Sequence, residues 1–80
     1  MVGEERELTF GEKAVGLNFN PSNNQDVQMI KELYAGLINH LNQLRSLPDN
    51  TNERNRLLSI AITEAQSAQM WAVKGITYNY

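Results

Sequence analysis

The sequence contains no cysteine and only one histidine, His40. Disulfide bonds are therefore excluded, and a zinc site built from several Cys or His ligands cannot be assembled. Seven Lys or Arg stand against nine Asp or Glu, and the basic residues are scattered, which argues against DNA binding. There is neither a run of about 20 apolar residues nor a signal-peptide pattern. These absences predict a soluble cytoplasmic protein without a cofactor, a metal or a membrane span.

Residues suited to catalysis are also scarce. His40 falls inside a predicted helix without an identifiable partner, and Glu64 stands among small residues, where a hydrogen-bonding or interface role is favoured. Gly11 and Gly16 do not form a phosphate loop, because no Gly-Lys-Ser/Thr follows them. A phosphodiesterase would need a metal cluster or a histidine-based acid-base pair. We therefore predict no catalytic residue and expect that the protein is not an enzyme.

The N-terminal part of the chain divides at Thr9. Residues 1–8 are polar and acidic, so we expect a flexible tail, followed by a single helical domain over residues 9–80. Thr9 and Glu12 occupy capping-box positions and Gly16 is placed as a C-terminal stop, which predicts a short helix between them.

A long helix is predicted from about residue 26 to residue 47. Its apolar positions recur at spacings of three and four, as in a coiled-coil seam: Val27, Ile30, Tyr34, Leu37, Leu41 and Leu44. Ser22, Asn23 and Asn24 are alternative N-caps, and Pro48 disfavours helical geometry at Leu47.

A second long helix is predicted over residues 52–77, with Asn50 and Glu53 resembling its cap and return partner. The connection is short, so the two long helices should form an antiparallel hairpin. Two apolar stripes follow this helix. One is Leu58, Ile62, Ala65, Ala72 and Ile76; the other is Leu57, Ala61, Ala68, Trp71 and Gly75. Small residues allow close helix approach and Trp71 would be a buried anchor, which predicts an oligomer interface of Ala61, Ala65, Ala68, Trp71 and Ala72.

Residues 9–22 have the composition of either a core segment or a ligand site. They combine the aromatic rings of Phe10 and Phe19 with Lys13, several asparagines, Ser22 and two helix N-termini. Aromatic rings stack on bases, and lysines or free N–H groups at helix starts bind phosphate. The same rings would serve equally as core anchors.

Three stretches together resemble a known family. They are Phe10-Gly11-Glu12-Lys13-Ala14-Val15-Gly16, Phe19-Asn20-Pro21-Ser22, and the run from Ser59 to Lys74. They look like the small bacteriophage anti-CBASS proteins that act as cyclic-nucleotide sponges, and the likeness covers nearly all of residues 9–78.

The resemblance implies an all-helical protomer, with a short N-terminal helix and two long antiparallel helices, assembled as a homohexamer. It also implies that the protein sequesters the cyclic di- and trinucleotides of bacterial CBASS immunity, without cleaving them, in the cytoplasm of the infected host. Family members hold dinucleotides between protomers and trinucleotides at separate sites.

The resemblance also assigns candidate binding residues. Phe10 matches the aromatic residue that precedes Gly-Glu-Lys in the family motif, so it is the expected base-stacking residue. The phosphate-binding lysine would be Lys31 or Lys13, with Phe19, Asn20 and Ser22 nearby. Possible trinucleotide contacts are Arg54, Arg56 and Lys74. The alternative function is a structural helical hairpin that binds a partner protein, with the segment from Phe10 to Ser22 merely wrapping its core.

Overall fold

A computed structural model describes residues 7–21 and 23–79. Within these residues the chain forms three helices and no strand: α1 (Phe10–Val15), α2 (Gln25–Arg45) and α3 (Asn52–Thr77). The all-helical class predicted from the sequence is confirmed. The guanidinium of Arg45 donates to Ser59 near the connecting loop, and one cavity is lined by Val27 and Val73 at the far end. α2 and α3 therefore run antiparallel.

The boundaries of α1 follow from its caps. The Thr9 hydroxyl accepts from the Glu12 N–H and the Glu12 carboxylate accepts from the Thr9 N–H, which completes the predicted capping box. At the other end Gly16 takes the left-handed conformation with φ 64°, and the Leu17 N–H donates to the Glu12 carbonyl. Local sequence alone therefore specifies where this helix begins and ends.

The starts of the long helices distinguish between the predicted caps. Asn24 is the N-cap of α2, since its side-chain oxygen accepts from the N–H groups of Asp26 and Val27. Ser22 lies outside the described residues. α3 spans the predicted residues, but its cap is Thr51, whose hydroxyl accepts from the Arg54 N–H. The assignment of Asn50 as that cap is wrong.

The core lies where α1 and the following turn meet the hairpin. Its buried members are Val15, Leu17, Ala35, Ile38, Ile62 and Ala65. The stripe of α3 that begins at Leu58 faces this core, with Ile62 and Ala65 buried and its other members half-buried. That stripe therefore forms the α3 side of the hairpin.

The seam predicted for α2 is only partly buried. The buried residues of α2 are Val27, Lys31, Ala35 and Ile38, whereas Leu37 is 48 % exposed. α1 packs on the side of α2 that carries Ala35, and this moves the buried face away from the predicted seam. The periodicity of α2 alone does not predict this shift of its buried face, because α2 packs against the six-residue α1 as well as against α3.

The outer face of α3 is exposed in the protomer. We use this name for Leu57, Ile60, Glu64, Ala68, Trp71 and Gly75, all of which are exposed. The Trp71 side chain is 71 % exposed, so it lies outside the core of the protomer, and its role as an anchor between protomers stays a prediction. The Cα atoms extend only 12 Å along the shortest axis, so the helices form one layer. Among residues 7–21 and 23–79, no other segment packs over the outer face.

The two ends of the chain are described in part. Of the predicted flexible tail over residues 1–8, residues 1–6 lie outside the described part, while Leu8 is half-buried and packs against the core. Leu8 thus contributes to packing, contrary to the expectation for a tail. Tyr78 is exposed and Tyr80 lies outside the described residues. None of the helices in the described ranges is long and apolar enough to cross a membrane.

Candidate functional site

α1 is held tightly against α2 near Gly11. A Cβ atom at Gly11 would overlap the backbone oxygen of Ala35, so only glycine permits this approach. The Gly11 N–H donates to Oδ1 of Asn39 over 2.7 Å, and Nδ2 of Asn39 donates to the Thr9 hydroxyl over 3.0 Å. A helix of six residues is not stable alone, and these contacts fix its position.

Phe10 is presented at the first position of this docked helix. Its ring centroid lies 5.4 Å from the guanidinium carbon of Arg45, within cation–π range. Nε and one terminal nitrogen of Arg45 donate to Asn42 at 3.2 and 3.0 Å, and the other donates to Ser59 at 2.9 Å. The ring remains 43 % exposed. An accessible aromatic ring is thus supported by a cation whose orientation is fixed.

Phe19 forms a second aromatic–cation pair at the opposite end of α1. Its side chain is 73 % exposed, and Nζ of Lys31 lies 5.4 Å from the ring centroid. Lys31 itself is only 4 % exposed, and its ammonium donates to the backbone oxygens of Gly16, at 2.9 Å, and Phe19. Burial lowers the pKa of Lys31 from its ordinary value. In the protomer this ammonium therefore stabilises the turn that follows α1.

Two open cavities meet at Phe19. The larger, about 460 Å³, contains Lys13 among its lining residues, together with Leu8, Glu12, Gly16, Leu17, Asn18 and Phe19. The smaller, about 220 Å³, is lined by Phe19, Asn20, Pro21, Val27, Lys31, Val73 and Thr77. The structure therefore brings together four of the predicted ligand residues, Lys13, Phe19, Asn20 and Lys31. Phe10 lines neither cavity, and the predicted contact residue Ser22 lies outside the described residues.

Two N–H groups at each of these helix starts already donate to side chains of the protein. On α1, the donors of Gly11 and Glu12 bond to Asn39 and Thr9. On α2, the N–H groups of Asp26 and Val27 donate to the Asn24 side chain. Asn20 is part of this second arrangement, since its amide donates to the Asn24 carbonyl at 3.0 Å. These four N–H groups are therefore not available to a phosphate, which would need side-chain cations at this site.

The possible trinucleotide contacts do not meet within one protomer. Arg54 is exposed, while Arg56 forms a bidentate ion pair with Glu53 at 2.9 and 2.7 Å on the solvent side of α3. Lys74 lies over the Trp71 ring at 5.8 Å. Twenty residues of helix separate Arg54 from Lys74, which is about 30 Å. A single trinucleotide site would need these cations from different protomers.

The residues predicted for an oligomer interface point in different directions. Ala65 is buried in the core, and Ala61 and Ala72 are half-buried. Ala68 and Trp71 point outward, and Trp71 lines a surface cavity of about 240 Å³ with Ser67, Met70 and Lys74. Ala68 and Trp71 are the members most accessible to a second chain, so the set is divided between packing within the protomer and the exposed surface.

The residues considered for catalysis lie on different helices, His40 on α2 and Glu64 on α3. His40 and Glu64 are both exposed on the helices. Over residues 7–21 and 23–79, no cluster of three or more His, Cys, Asp or Glu could hold a metal ion.

Two residues of the site were missed from the sequence. Asn39 positions α1, and Arg45 supports Phe10. The spacing Ala35-x-x-x-Asn39 could have indicated the first, because it puts a small residue and a hydrogen-bonding side chain one turn apart on one helix face. No sequence pattern indicates the role of Arg45, because its neighbour Phe10 is remote in sequence.

The fold and the two aromatic–cation pairs define a small helical-hairpin protein with accessible rings beside positive charge. The profile of the family described as "Acb2/Tad1, hairpin domain" matches residues 12–77. The chain belongs to this family, which confirms the resemblance to anti-CBASS proteins. No curated protein and no solved structure gives a significant match to the chain.

Proposed function

We propose that this protein is a bacteriophage immune-evasion protein that binds the cyclic di- and trinucleotides of CBASS immunity and sequesters them intact. Membership of the Acb2/Tad1 family supports the anti-CBASS role. The structural observation that carries the proposal is Phe10, an accessible ring backed by the fixed guanidinium of Arg45.

The chemistry of a cyclic dinucleotide suits such a surface. The ligand presents two flat bases, which stack on aromatic rings, and two negatively charged phosphodiesters, which need cations nearby. Phe10 stacks on a base, and Arg45 adds positive charge next to that base. The resemblance noted in the sequence implies a ligand held between protomers, and we propose the same arrangement here.

Phosphate is contacted by Lys13 in this proposal. Its ammonium is exposed and lines the larger cavity beside Phe19. The bonds of Lys31 are directed to two backbone carbonyls, so Lys31 contributes positive potential and keeps Phe19 and Asn20 in place. Ser22, two residues after Asn20 in the sequence, completes the proposed dinucleotide contacts.

Assembly follows from the same geometry. A domain is ordinarily built from at least two packed layers, and this protomer has one. We propose a homohexamer in which the outer face of α3, with Ala68 and Trp71, packs against other copies. Arg54, Arg56 and Lys74 of different protomers then approach one another and bind cyclic trinucleotides. Neither a cofactor nor DNA takes part.

Sequestration works by mass action. In the cytoplasm of the infected host, free ligand falls when the sponge binds more tightly than the CBASS effector and its sites outnumber the signal molecules. No bond in the ligand needs to break. A ligand held between two chains also stabilises the assembly relative to its parts.

The direct test is isothermal titration of the purified protein with a panel of cyclic di- and trinucleotides. The complex is then heated, and the released ligand is identified by chromatography. Saturable binding with intact ligand recovered is the expected result. Degraded ligand would indicate an enzyme, and a folded protein that binds no member of the panel would contradict the proposal.

A structural hairpin that binds a partner protein is the second candidate, and the exposed outer face of α3 favours it. It requires that face to be free in solution. Light scattering on the same sample separates the two functions. A monomer that binds no nucleotide supports the hairpin module, and a hexamer that binds nucleotide supports the sponge.

A further inference from the structure

We propose that Asn39 is a positioning residue that sets the orientation of Phe10 for base stacking, an inference that rests on the proposed function. Phe10 stands between the two residues to which the Asn39 side chain bonds, Thr9 and Gly11. Asn39 is on α2, 28 residues from Gly11, and its amide thus joins two remote segments of the chain.

The two bonds use different ends of the Asn39 amide. Oδ1 accepts from Gly11, whose N–H lies in the first turn of α1 and has no partner within that helix. Nδ2 donates to Thr9, which is itself the cap that bonds to Glu12. One planar amide group therefore holds the residue before Phe10, through its hydroxyl, and the residue after it, through its backbone N–H.

This arrangement determines where the Phe10 ring lies. The other reference point is Arg45, and three hydrogen bonds to Asn42 and Ser59 hold its guanidinium independently of α1. The distance of 5.4 Å between the ring and that guanidinium therefore depends on how α1 is docked. Without Asn39, the first turn of α1 loses its tie to α2 and the ring moves away from Arg45.

The first arm of the test needs no ligand. Nuclear Overhauser contacts between the Phe10 ring and the Arg45 side chain are measured in the wild type, Asn39→Ala and Asn39→Asp. The contacts should disappear in Asn39→Ala. They should persist in Asn39→Asp, since a carboxylate still accepts from Gly11 and from the Thr9 hydroxyl. Contacts that persist in Asn39→Ala overturn the proposal.

The second arm measures affinity for the cyclic dinucleotide that the wild type binds most tightly. We expect Asn39→Ala to bind at least about tenfold more weakly, with Asn39→Asp restored to within about threefold of the wild type. In a Phe10→Ala background, Asn39→Ala should add less than about twofold. An equal loss in both backgrounds would mean that Asn39 acts elsewhere, and it would overturn the inference.

The matched control is Asn50→Ala. Asn50 also ties the fold with two side-chain hydrogen bonds, to the Leu44 carbonyl at 2.7 Å and to Asn55 at 2.8 Å. Its loss should leave affinity within about twofold. If Asn39→Ala does not fold, Asn39→Ser is used, because a serine cannot reach both Thr9 and Gly11. A wild type that binds no cyclic dinucleotide refutes the proposed function, while the first arm still decides the positioning role.

Discussion

The α-carbon of Gly11 lies so close to the backbone of Ala35 that a methyl group at position 11 would overlap the Ala35 carbonyl oxygen. The same methyl group would lie 2.9 Å from Oδ1 of Asn39, the atom that accepts the Gly11 N–H. Backbone atoms cannot move aside as the end of a flexible side chain can. The position of α1, and with it that of Phe10, therefore depends on the absence of a side chain at position 11.

We expect Gly11→Ala to lower the free energy of unfolding by about 1–3 kcal/mol, because the added methyl group forces α1 away from α2. Thermal denaturation followed by circular dichroism measures the change. Gly36→Ala is the matched control, since nothing lies within 4 Å of its added methyl group. It should stabilise the helix by about 0.5–1 kcal/mol. Equal effects of the two variants would contradict the close docking of α1.

Phe10→Ala should weaken the binding of a cyclic dinucleotide by about 1–3 kcal/mol, the contribution of stacking one base on an aromatic ring. Titration calorimetry measures the affinity, and light scattering checks that the oligomer is unchanged. Phe10→Tyr keeps the ring and should bind normally. Leu47→Ala removes a comparably exposed apolar side chain outside the site and serves as the control. Unchanged affinity in Phe10→Ala would remove Phe10 from the site.

Lys13→Ala should reduce dinucleotide affinity and also make it less sensitive to salt, because an exposed ammonium that contacts phosphate is screened by ions. The measurement is a series of titrations at increasing sodium chloride concentration. Arg54→Ala, which removes an exposed charge at the far N-terminal end of α3, should leave the dinucleotide salt dependence unchanged. Parallel salt curves for the wild type and Lys13→Ala would exclude a phosphate contact at Lys13.

Lys31 should make stability depend on pH in the alkaline range. Burial lowers its pKa in the folded state, so the unfolded chain binds more protons between the folded pKa and the ordinary value of 10.5. Below the folded pKa the penalty for burying the charge is fully present, and it is relieved as the pH rises towards 10.5. The stability of the wild type relative to Lys31→Met should therefore increase with pH in this window. Denaturant titrations at matched protein concentration measure this difference, and a flat difference would contradict the prediction.

The predictions that succeeded from the sequence depend on short-range chemistry. The capping box of Thr9 and Glu12, the left-handed Gly16 and the bounds of α3 each follow from residues a few positions apart. The sequence does not distinguish Asn50 from Thr51 as the N-cap of α3, because both residue types have similar capping propensities. Asn50 instead bonds to Leu44, a contact that depends on how the loop folds back.

The features that sequence could not predict require the packed structure. The predicted seam of α2 is only partly correct: Val27 is buried and Tyr34 packs against the core, but Leu37 is exposed, because periodicity cannot include α1 as a neighbour. Nothing in the sequence indicates that the ammonium of Lys31 is buried against two carbonyls. A motif selects residues for the candidate site, but only the fold shows that Lys13 lies beside Phe19 while Phe10 lies beside Arg45.

The outer face of α3 supplies the last prediction, which concerns assembly. Trp71 is 71 % exposed, and Nζ of Lys74 lies 5.8 Å from the centroid of its ring. Trp71→Ala should therefore leave the fold of the protomer within about 0.5 kcal/mol of its original stability. If other copies cover this face, the same change removes a large apolar contact and should dissociate the oligomer.

Light scattering over a dilution series measures the mass of both forms. Leu47→Ala is the matched control, since Leu47 is also an exposed apolar residue but lies in the loop between α2 and α3. Trp71 is the sole tryptophan, so its fluorescence should shift to longer wavelength as the wild-type oligomer dissociates. If the wild type is an oligomer and the Trp71→Ala variant remains assembled, the protomers meet through another surface. The exposed stripe of Met29, Leu33 and Leu37 on α2 is such a surface.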